Sequence, residues 1–192
     1  MIVNIFSTPI YATVFDHLDN SAMVDYVLDY SKKHKTVEIS NEGGYQSDDL
    51  QGVHMPLNEL FKEIDYTVNA FAQRIGVVMP TRIDNIWINI NSPGSYNIEH
   101  RHPNSLISGV FYLKVPKNSG PIVFTNPMPS FDMIWSKRVV DVYNAYTSVE
   151  HTHNPIDNAL VLFPSWLSHR VERNKSNENR ISLAFNCSPI KS

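Results

Sequence analysis

Hydrophobic residues recur at helical spacing in two stretches of the first 80 residues. The first stretch follows Asp19 and Asn20, either of which can cap a helix, and its apolar positions are Met23, Val24, Val27, Leu28 and Tyr30. The second begins at Pro56 and stops at Gly76, and its apolar stripe consists of Leu57, Leu60, Phe61, Ile64, Val68, Phe71 and Ile75. The spacing predicts two amphipathic helices. The polar segment between them, residues 41–49 with Gly43 and Gly44, is typical of a lid or a crossing loop.

After residue 80 the pattern changes to short β-branched and aromatic runs separated by turn residues. The predicted strands are Ile83–Ile90, Leu106–Val115, Ile122–Phe124, Val139–Tyr146, Leu160–Phe163 and Arg180–Phe185. Many short strands in so few residues favour a sandwich, a jelly roll or a barrel. We therefore expect an α+β chain, mainly β, in which N-terminal helices support a barrel-like core.

Composition limits the classes of protein to consider. With 192 residues, 42% hydrophobic and 18% charged, we expect one domain, with helical support and a lid region in residues 1–80 and a β core in residues 81–192. A net charge of −3 disfavours nucleic acid as a partner. The single cysteine, Cys187, excludes a disulfide framework, and no apolar run reaches the length of a membrane span. Because the apolar start also lacks the basic residues of a signal peptide, we expect a cytoplasmic location.

Candidate chemistry lies among the eight histidines. His100 and His102 flank Arg101, and in an extended segment alternate residues project from one face, so both imidazoles can point toward one metal ion. A second pair, His151 and His153, lies beside a loop-forming stretch, where we expect solvated side chains. A His-x-His pair alone is weak evidence for a metal.

The downstream segment adds further candidates. An apolar run ends in a turn at Pro164, and His169 follows at the predicted start of the next strand. Arg180 and Ser182 then share one face of a strand that is otherwise built for burial. A buried arginine is costly without an anion, so it indicates either an anionic ligand or an ion pair with a nearby carboxylate such as Glu172 or Glu178.

In this order, His-x-His, a distal His and Arg-x-Ser resemble the iron(II)- and 2-oxoglutarate-dependent oxygenases. The stretch from Trp87 to Asn186 is most similar to a bacterial and phage branch of that superfamily. The segments that carry the resemblance are Trp87-Ile88-Asn89, His100-Arg101-His102-Pro103, Ser108-Gly109-Val110-Phe111-Tyr112-Leu113, Phe163-Pro164-Ser165-Trp166-Leu167-Ser168-His169 and Arg180-Ile181-Ser182-Leu183-Ala184-Phe185-Asn186.

The resemblance implies a double-stranded β-helix, the jelly-roll or cupin-like barrel, with iron(II), 2-oxoglutarate and dioxygen as cofactors and with release of succinate and carbon dioxide. It implies that the metal ligands are His100, His102 and His169. A carboxylate usually takes the second position, so the neutral imidazole here leaves the site one charge unit more positive. The residues implied for the cosubstrate are Arg180 and Ser182 at its distal carboxylate, Tyr112 at the same carboxylate, and Asn89 and Asn91 nearby.

The sequence is compatible with two other functions. A three-histidine cupin, either a dioxygenase or an isomerase, fits Gly94 before His100 and the segment from Pro164 to His169, but the usual glutamate is missing and Arg180 has no role there. The second alternative is a jelly-roll module that binds a partner or ligand without catalysis. If the chain is an oxygenase, we expect its substrate to be a small molecule or a protein side chain. We expect no membrane partner, and the sequence is compatible with a homodimer. Trp87, Trp166 and Phe124 are expected to pack in the barrel, and Trp166 is close enough to His169 in sequence to wall the pocket instead.

Overall fold

The computed structural model describes residues 1–2, 5–50, 52, 54–128 and 139–190. Within these ranges the chain forms two α-helices, a short 3-10 turn at Met55–Leu57, and antiparallel strands. The helices are α1 (Ser21–Lys33) and α2 (Asn58–Arg74). The strands are β1 (Tyr11–Val14), β2 (Asn41–Glu42), β3 (Tyr45–Gln46), β4 (Thr81–Asn91), β5 (Tyr96–His100), β6 (Ile107–Lys114), β7 (Ile122–Thr125), β8 (Glu150–His153), β9 (Ala159–Pro164), β10 (His169–Val171) and β11 (Arg180–Pro189).

The strands form two sheets that pack face to face. The major sheet has six strands in the order β1-β9-β6-β11-β4-β3, and the minor sheet has five in the order β2-β5-β10-β7-β8. Between them lies a cluster of buried apolar side chains from both sheets, among them Val110 and Phe163 from the major sheet and Ile122 and Phe124 from the minor sheet. This mostly β architecture with two supporting helices confirms the predicted jelly roll.

The helices cover the outer face of the major sheet. Leu60, Ile64 and Val68 of α2 belong to one buried cluster together with Ile86 and Ile88 of β4. Because side chains alternate along a strand, β4 presents its isoleucines to the helices and its other residues to the space between the sheets. Among the described residues, no helix is long and apolar enough to cross a membrane.

The helix starts follow the sequence closely. Asn20 is the N-terminal cap residue of α1, but its side chain instead donates to the Leu113 carbonyl at 2.6 Å and to Asn158 Oδ1 at 2.8 Å. Asp19 Oδ1 accepts from the backbone N–H of Ser21 at 3.0 Å. Asp19 therefore bonds to the first turn of α1, and Asn20 attaches the start of the helix to the end of β6.

The prediction of a strand over Val139–Tyr146 is wrong, because this segment consists of turns and bends. Asn144 Oδ1 accepts from the backbone N–H of Tyr146 at 2.8 Å, and the Asn144 carbonyl accepts from Thr147 and Ser148. Such local bonds compete with sheet pairing. The strand instead forms at β8, which carries the two histidines that we expected in a loop.

The segment predicted as a lid or crossing loop crosses from one sheet to the other. Asn41 and Glu42 of β2 pair with β5 in the minor sheet, and Tyr45 and Gln46 of β3 pair with β4 in the major sheet. The crossing requires glycine at position 44, because a Cβ there would lie 2.4 Å from both Asn41 Oδ1 and the Ile90 carbonyl. The segment thereby joins the two sheets at one end of the sandwich.

Candidate metal and anion site

Three histidines converge between the sheets. His100 ends β5 and His169 begins β10, and the two residues are paired in register. His102 lies two residues beyond β5, where its backbone N–H donates to the Ser165 carbonyl at 3.0 Å. One candidate ligand atom from each histidine lies within 4.8 Å of the other two, and no other cluster of three such groups occurs in the described part of the chain.

A β-bulge aims His100 into the site. Val171 of β10 pairs with Asn97 and His169 pairs with His100, so three steps along β5 oppose two along β10. As a result Asn97 and His100 both line the interior cavity, whereas Ile98 and Glu99 are exposed. The prediction that one extended segment carries both imidazoles is only partly right, since β5 ends at His100 and His102 lies beyond it.

The ring nitrogens are arranged for metal binding. His100 Nδ1 donates to the Ile98 carbonyl at 2.7 Å and His169 Nδ1 donates to the Leu167 carbonyl at 2.9 Å, which leaves the lone pair of each Nε2 free. His102 Nε2 lies 3.3 Å from His169 Nε2. Two nitrogens bound to one metal at about 2.1 Å are about 3.0 to 3.4 Å apart in right-angled to tetrahedral arrangements. The histidines therefore fit a metal ion.

Burial keeps these imidazoles neutral. Desolvation, with a smaller contribution from His100, lowers the pKa of His102 to about 4 and that of His169 to about 3. Desolvation also lowers the pKa of His100. Since a metal binds the neutral form, all three rings are ready to coordinate at neutral pH.

Aromatic side chains hold two of the rings in place. The ring centroid of Trp87 lies 5.7 Å from that of His102, and the Phe163 centroid lies 4.6 Å from that of His169. Trp87 and Phe163 both line the cavity. The expectation that Trp166 walls the pocket is wrong, because this side chain is 52% exposed and does not line it.

Arg180 lines the same cavity and is only 2% exposed. Its Nη1 donates to the Gly120 carbonyl at 2.9 Å and its Nη2 donates to Asn91 Oδ1 at 2.7 Å. Its Nε is buried and has no hydrogen-bond partner among the described residues.

The carboxylates considered as partners of Arg180 pair elsewhere. Glu178 accepts from Lys114 at 2.7 Å, and Glu172 accepts from Arg170 at 3.0 Å. The ion-pair alternative is therefore wrong for both glutamates. Desolvation lowers the pKa of Arg180, and no carboxylate among the described residues pairs with its guanidinium, so the group is suited to an anionic ligand.

Polar groups surround this cation. Ser182 is paired in register with Tyr112 on one side and with Asn89 on the other, and all three line the cavity. The Tyr112 hydroxyl is buried without a partner in the described structure, and burial raises its pKa to about 12, so it remains a neutral donor. These groups can hold a carboxylate.

Asn91 and the second histidine pair have other positions. Asn91 does not line the cavity, but its Nδ2 donates to Asn97 Oδ1 at 3.0 Å while its Oδ1 holds Arg180. His151 and His153 lie on β8, outside the three-histidine cluster, and His151 stacks on Phe124 with centroids 6.5 Å apart.

Sequence reasoning missed three contributors to the cavity and its cation. Ser40 and Asn97 line the wall, and the Gly120 carbonyl binds Arg180. The bulge that places Asn97 and the crossing segment that follows Ser40 have no counterpart in the hydrophobic pattern. The alternation of β4 could have revealed Trp87 as a cavity residue, because it shares a strand face with Asn89.

Comparison with known structures shows what the fold is similar to. A prolyl-4-hydroxylase from Pseudomonas putida is 14% identical, with a TM-score of 0.66 over 96% of this chain and 95% of that chain. HygX from Streptomyces hygroscopicus, solved with nickel and 2-oxoglutarate bound, is 13% identical, with a TM-score of 0.64 over 95% of this chain and 83% of that chain. A viral collagen prolyl hydroxylase from Paramecium Bursaria Chlorella virus-1, solved with 2-oxoglutarate, is 11% identical, with a TM-score of 0.60 over 93% and 96% of the two chains.

At these identities the structures establish the shared fold. No curated protein sequence matches the chain. A family model described as "Putative 2OG-Fe(II) oxygenase" matches residues 85–186, which contain the three histidines, Arg180 and Ser182. The chain therefore belongs to this 2OG-Fe(II) oxygenase family, whose cofactors are iron(II) and 2-oxoglutarate.

Proposed function

We propose that this protein is an oxygenase that hydroxylates a small molecule or a protein side chain and releases succinate and carbon dioxide. One observation carries the proposal: a buried arginine without an acidic partner in the described structure shares a cavity with three neutral histidines. The histidines fit a metal and the arginine fits an anion. A chelating dicarboxylate such as 2-oxoglutarate satisfies both ends of this cavity.

The proposed metal ligands are the Nε2 atoms of His100, His102 and His169. The backbone carbonyls of Ile98 and Leu167 fix two of the rings, so these ligands are oriented before metal binds. Three imidazoles in place of the more common pair plus a carboxylate leave the full charge of the metal on the site. This charge favours anionic ligands, including the cosubstrate.

The proposed site for the distal carboxylate of 2-oxoglutarate is the guanidinium of Arg180. Ser182 and Tyr112 supply hydroxyl donors beside it, and Asn89 supplies an amide from the neighbouring strand. Asn91 acts on Arg180 as a positioning residue, because its Oδ1 accepts from Nη2. The buried, unpartnered Tyr112 hydroxyl and Arg180 Nε support this assignment.

Bound iron(II), 2-oxoglutarate and dioxygen supply the oxidising power of such a reaction. The chain's own residues bind and orient these groups and exclude water from them. Phe163, Val110 and Ile122 supply the apolar part of the cavity wall. Because the three imidazoles stay neutral at neutral pH, their ligand nitrogens are not protonated and can bind the metal.

We also propose that the whole chain is one catalytic unit. Residues of both helices and of the major sheet share a continuous buried cluster, which supports this assignment. The family match favours the oxygenase over a three-histidine cupin and over a binding module.

Calorimetry tests the proposal. Anaerobic Mn(II)-loaded protein is titrated with 2-oxoglutarate, and the Fe(II) protein is then assayed in air for succinate. We expect saturable binding, and succinate that depends on both iron and 2-oxoglutarate. If millimolar 2-oxoglutarate does not bind to the metal-loaded protein, the proposal is wrong.

A further inference from the structure

Trp87, which lines the cavity, carries a buried donor that the proposed function does not use. Trp87 lines the cavity beside His102, and its Nε1 is buried without a hydrogen-bond partner in the described part of the chain. Leaving a buried donor unpaired is unfavourable, so this N–H indicates a ligand that accepts its hydrogen bond.

Trp87 and Arg180 lie on different rows of the major sheet. Arg180 is paired with Asn91, and Trp87 is paired with Ala184, four residues away on β4 and on β11. At about 3.3 Å per residue these rows are about 13 Å apart along the strands, so the two side chains leave the sheet at well-separated points. The ring contact with His102 places Trp87 at the metal end, where the primary substrate must approach.

The charges of the wall restrict what Trp87 can bind. Among the described residues that line the cavity, Arg180 is the only one with a formal charge at neutral pH, and it lies at the opposite end. The neighbours at the metal end are apolar or small, including Phe163, Val110 and Ala184. The charge of a bound metal would be partly offset by the metal-binding carboxylate of 2-oxoglutarate, so a second anionic group would lose its hydration beside that carboxylate without a cationic side chain to replace it.

We infer that Trp87 is a specificity-determining residue, whose N–H donates to a neutral carbonyl oxygen of the primary substrate, as in an amide. This inference rests on the proposed function and names the chemical class of its substrate. A wall that is mostly apolar, with one directed donor, is typical of a site that orients a ligand by a single polar group.

The first test observes the indole N–H directly. Zn(II)-loaded, 15N-labelled protein saturated with 2-oxoglutarate is titrated with N-methylacetamide, and separately with acetate. We expect the Trp87 indole proton to shift downfield and to saturate with the amide only. The exposed Trp166 is the reference, and Trp87→Phe assigns the resonance. No shift of the Trp87 resonance, or an equal shift with acetate, overturns the inference.

The second test measures affinity. In Mn(II)-loaded protein the metal relaxes the methyl protons of bound N-methylacetamide, which gives both proximity and a dissociation constant. Loss of one neutral hydrogen bond in Trp87→Phe should weaken the amide about fivefold, while Trp166→Phe changes nothing. Both variants should bind 2-oxoglutarate within about twofold of the wild type.

Two results separate this inference from the proposed function. If Trp87→Phe weakens 2-oxoglutarate as much as the amide, the N–H serves the cosubstrate, and the inference is wrong while the function stands. If the wild-type protein does not bind 2-oxoglutarate, the proposed function fails, and the inference falls with it.

Discussion

Replacing Arg180 with methionine separates ligand binding from folding. The substitution keeps most of the aliphatic stem in its buried position but removes the guanidinium and its bonds to Gly120 and Asn91. In the absence of ligand the wild-type cation is buried without an acidic partner among the described residues, and its desolvation opposes folding. We therefore expect the variant to fold, with a free energy of unfolding within about 1 kcal/mol of the wild type.

Binding should respond very differently. Each hydrogen bond from a guanidinium to a carboxylate is worth about 1.5 to 3 kcal/mol, and a tenfold change in affinity corresponds to about 1.4 kcal/mol. Loss of even one such bond predicts at least tenfold weaker 2-oxoglutarate binding, and loss of a pair predicts roughly a hundredfold or more. Metal affinity should not change, because Arg180 is not a candidate ligand.

The assay combines calorimetry on anaerobic Mn(II) protein with thermal denaturation in the presence and absence of 2-oxoglutarate. The ligand should raise the melting temperature of the wild type and not that of Arg180→Met. Arg170→Met is the matched control, since Arg170 forms ion pairs with Glu150 and Glu172 and does not line the cavity. If Arg180→Met binds 2-oxoglutarate normally but loses several kcal/mol of stability, Arg180 is structural and the reasoning is refuted.

Three further predictions follow from the cavity. Alanine at any one proposed ligand should abolish stoichiometric metal by elemental analysis, whereas the His151→Ala/His153→Ala double variant should retain it; the reverse result would move the site to β8. Tyr112→Phe should weaken 2-oxoglutarate at least tenfold in calorimetry without lowering the melting temperature, because its hydroxyl would donate to a charged carboxylate in the complex but has no described partner to lose in the free protein. In metal-free protein, stability should fall as pH drops from about 6.5 toward 4, because unfolded histidines accept protons at their ordinary pKa while folded His102 does so at about 4. Denaturant titrations across this pH range check the last prediction, and a flat profile contradicts it.

Local periodicity was sufficient for the elements that bury one continuous face. The stripe that begins at Leu57 predicted α2, and the apolar runs around Ile88 and Leu162 predicted the central strands β4 and β9. The side chains of these segments that contact the core recur at the helical or strand period, so the sequence alone predicts them. The ends of α2 were also predictable, because Pro56 and Gly76 mark them.

Strand pairing between segments that are distant in sequence could not be predicted from local periodicity. Val142 fits a strand by composition, but Asn144 forms local turn bonds, and the polar segment Glu150–His153 becomes β8 because β7 offers it an edge. Trp166 was assigned to the pocket by its nearness to His169 in sequence, yet the turn between β9 and β10 leaves it exposed.

The candidate site was predictable as a set of residues but not as a geometry. The order His-x-His, His and Arg-x-Ser named the groups that line one cavity, with Tyr112 and Asn89 among them. It could not reveal that Asn91 lies behind Arg180, because that depends on the pairing of β4 with β11. Nor could it reveal Trp87 as an unpaired donor, since a tryptophan in a strand is more often simple packing.

The bulge in β5 bears on how the site tolerates a change in chain length. Ile98 is 41% exposed, so its side chain can be exchanged with little consequence for the interior. Removing the residue altogether would restore equal steps between β5 and β10 and would leave Asn97 and His100 two residues apart, a spacing that places both on one face of a regular strand. A deletion of one residue at this solvent-facing position should thus keep both side chains pointing inward. Searches for functional relatives should therefore accept a spacing of either two or three residues between the counterparts of Asn97 and His100.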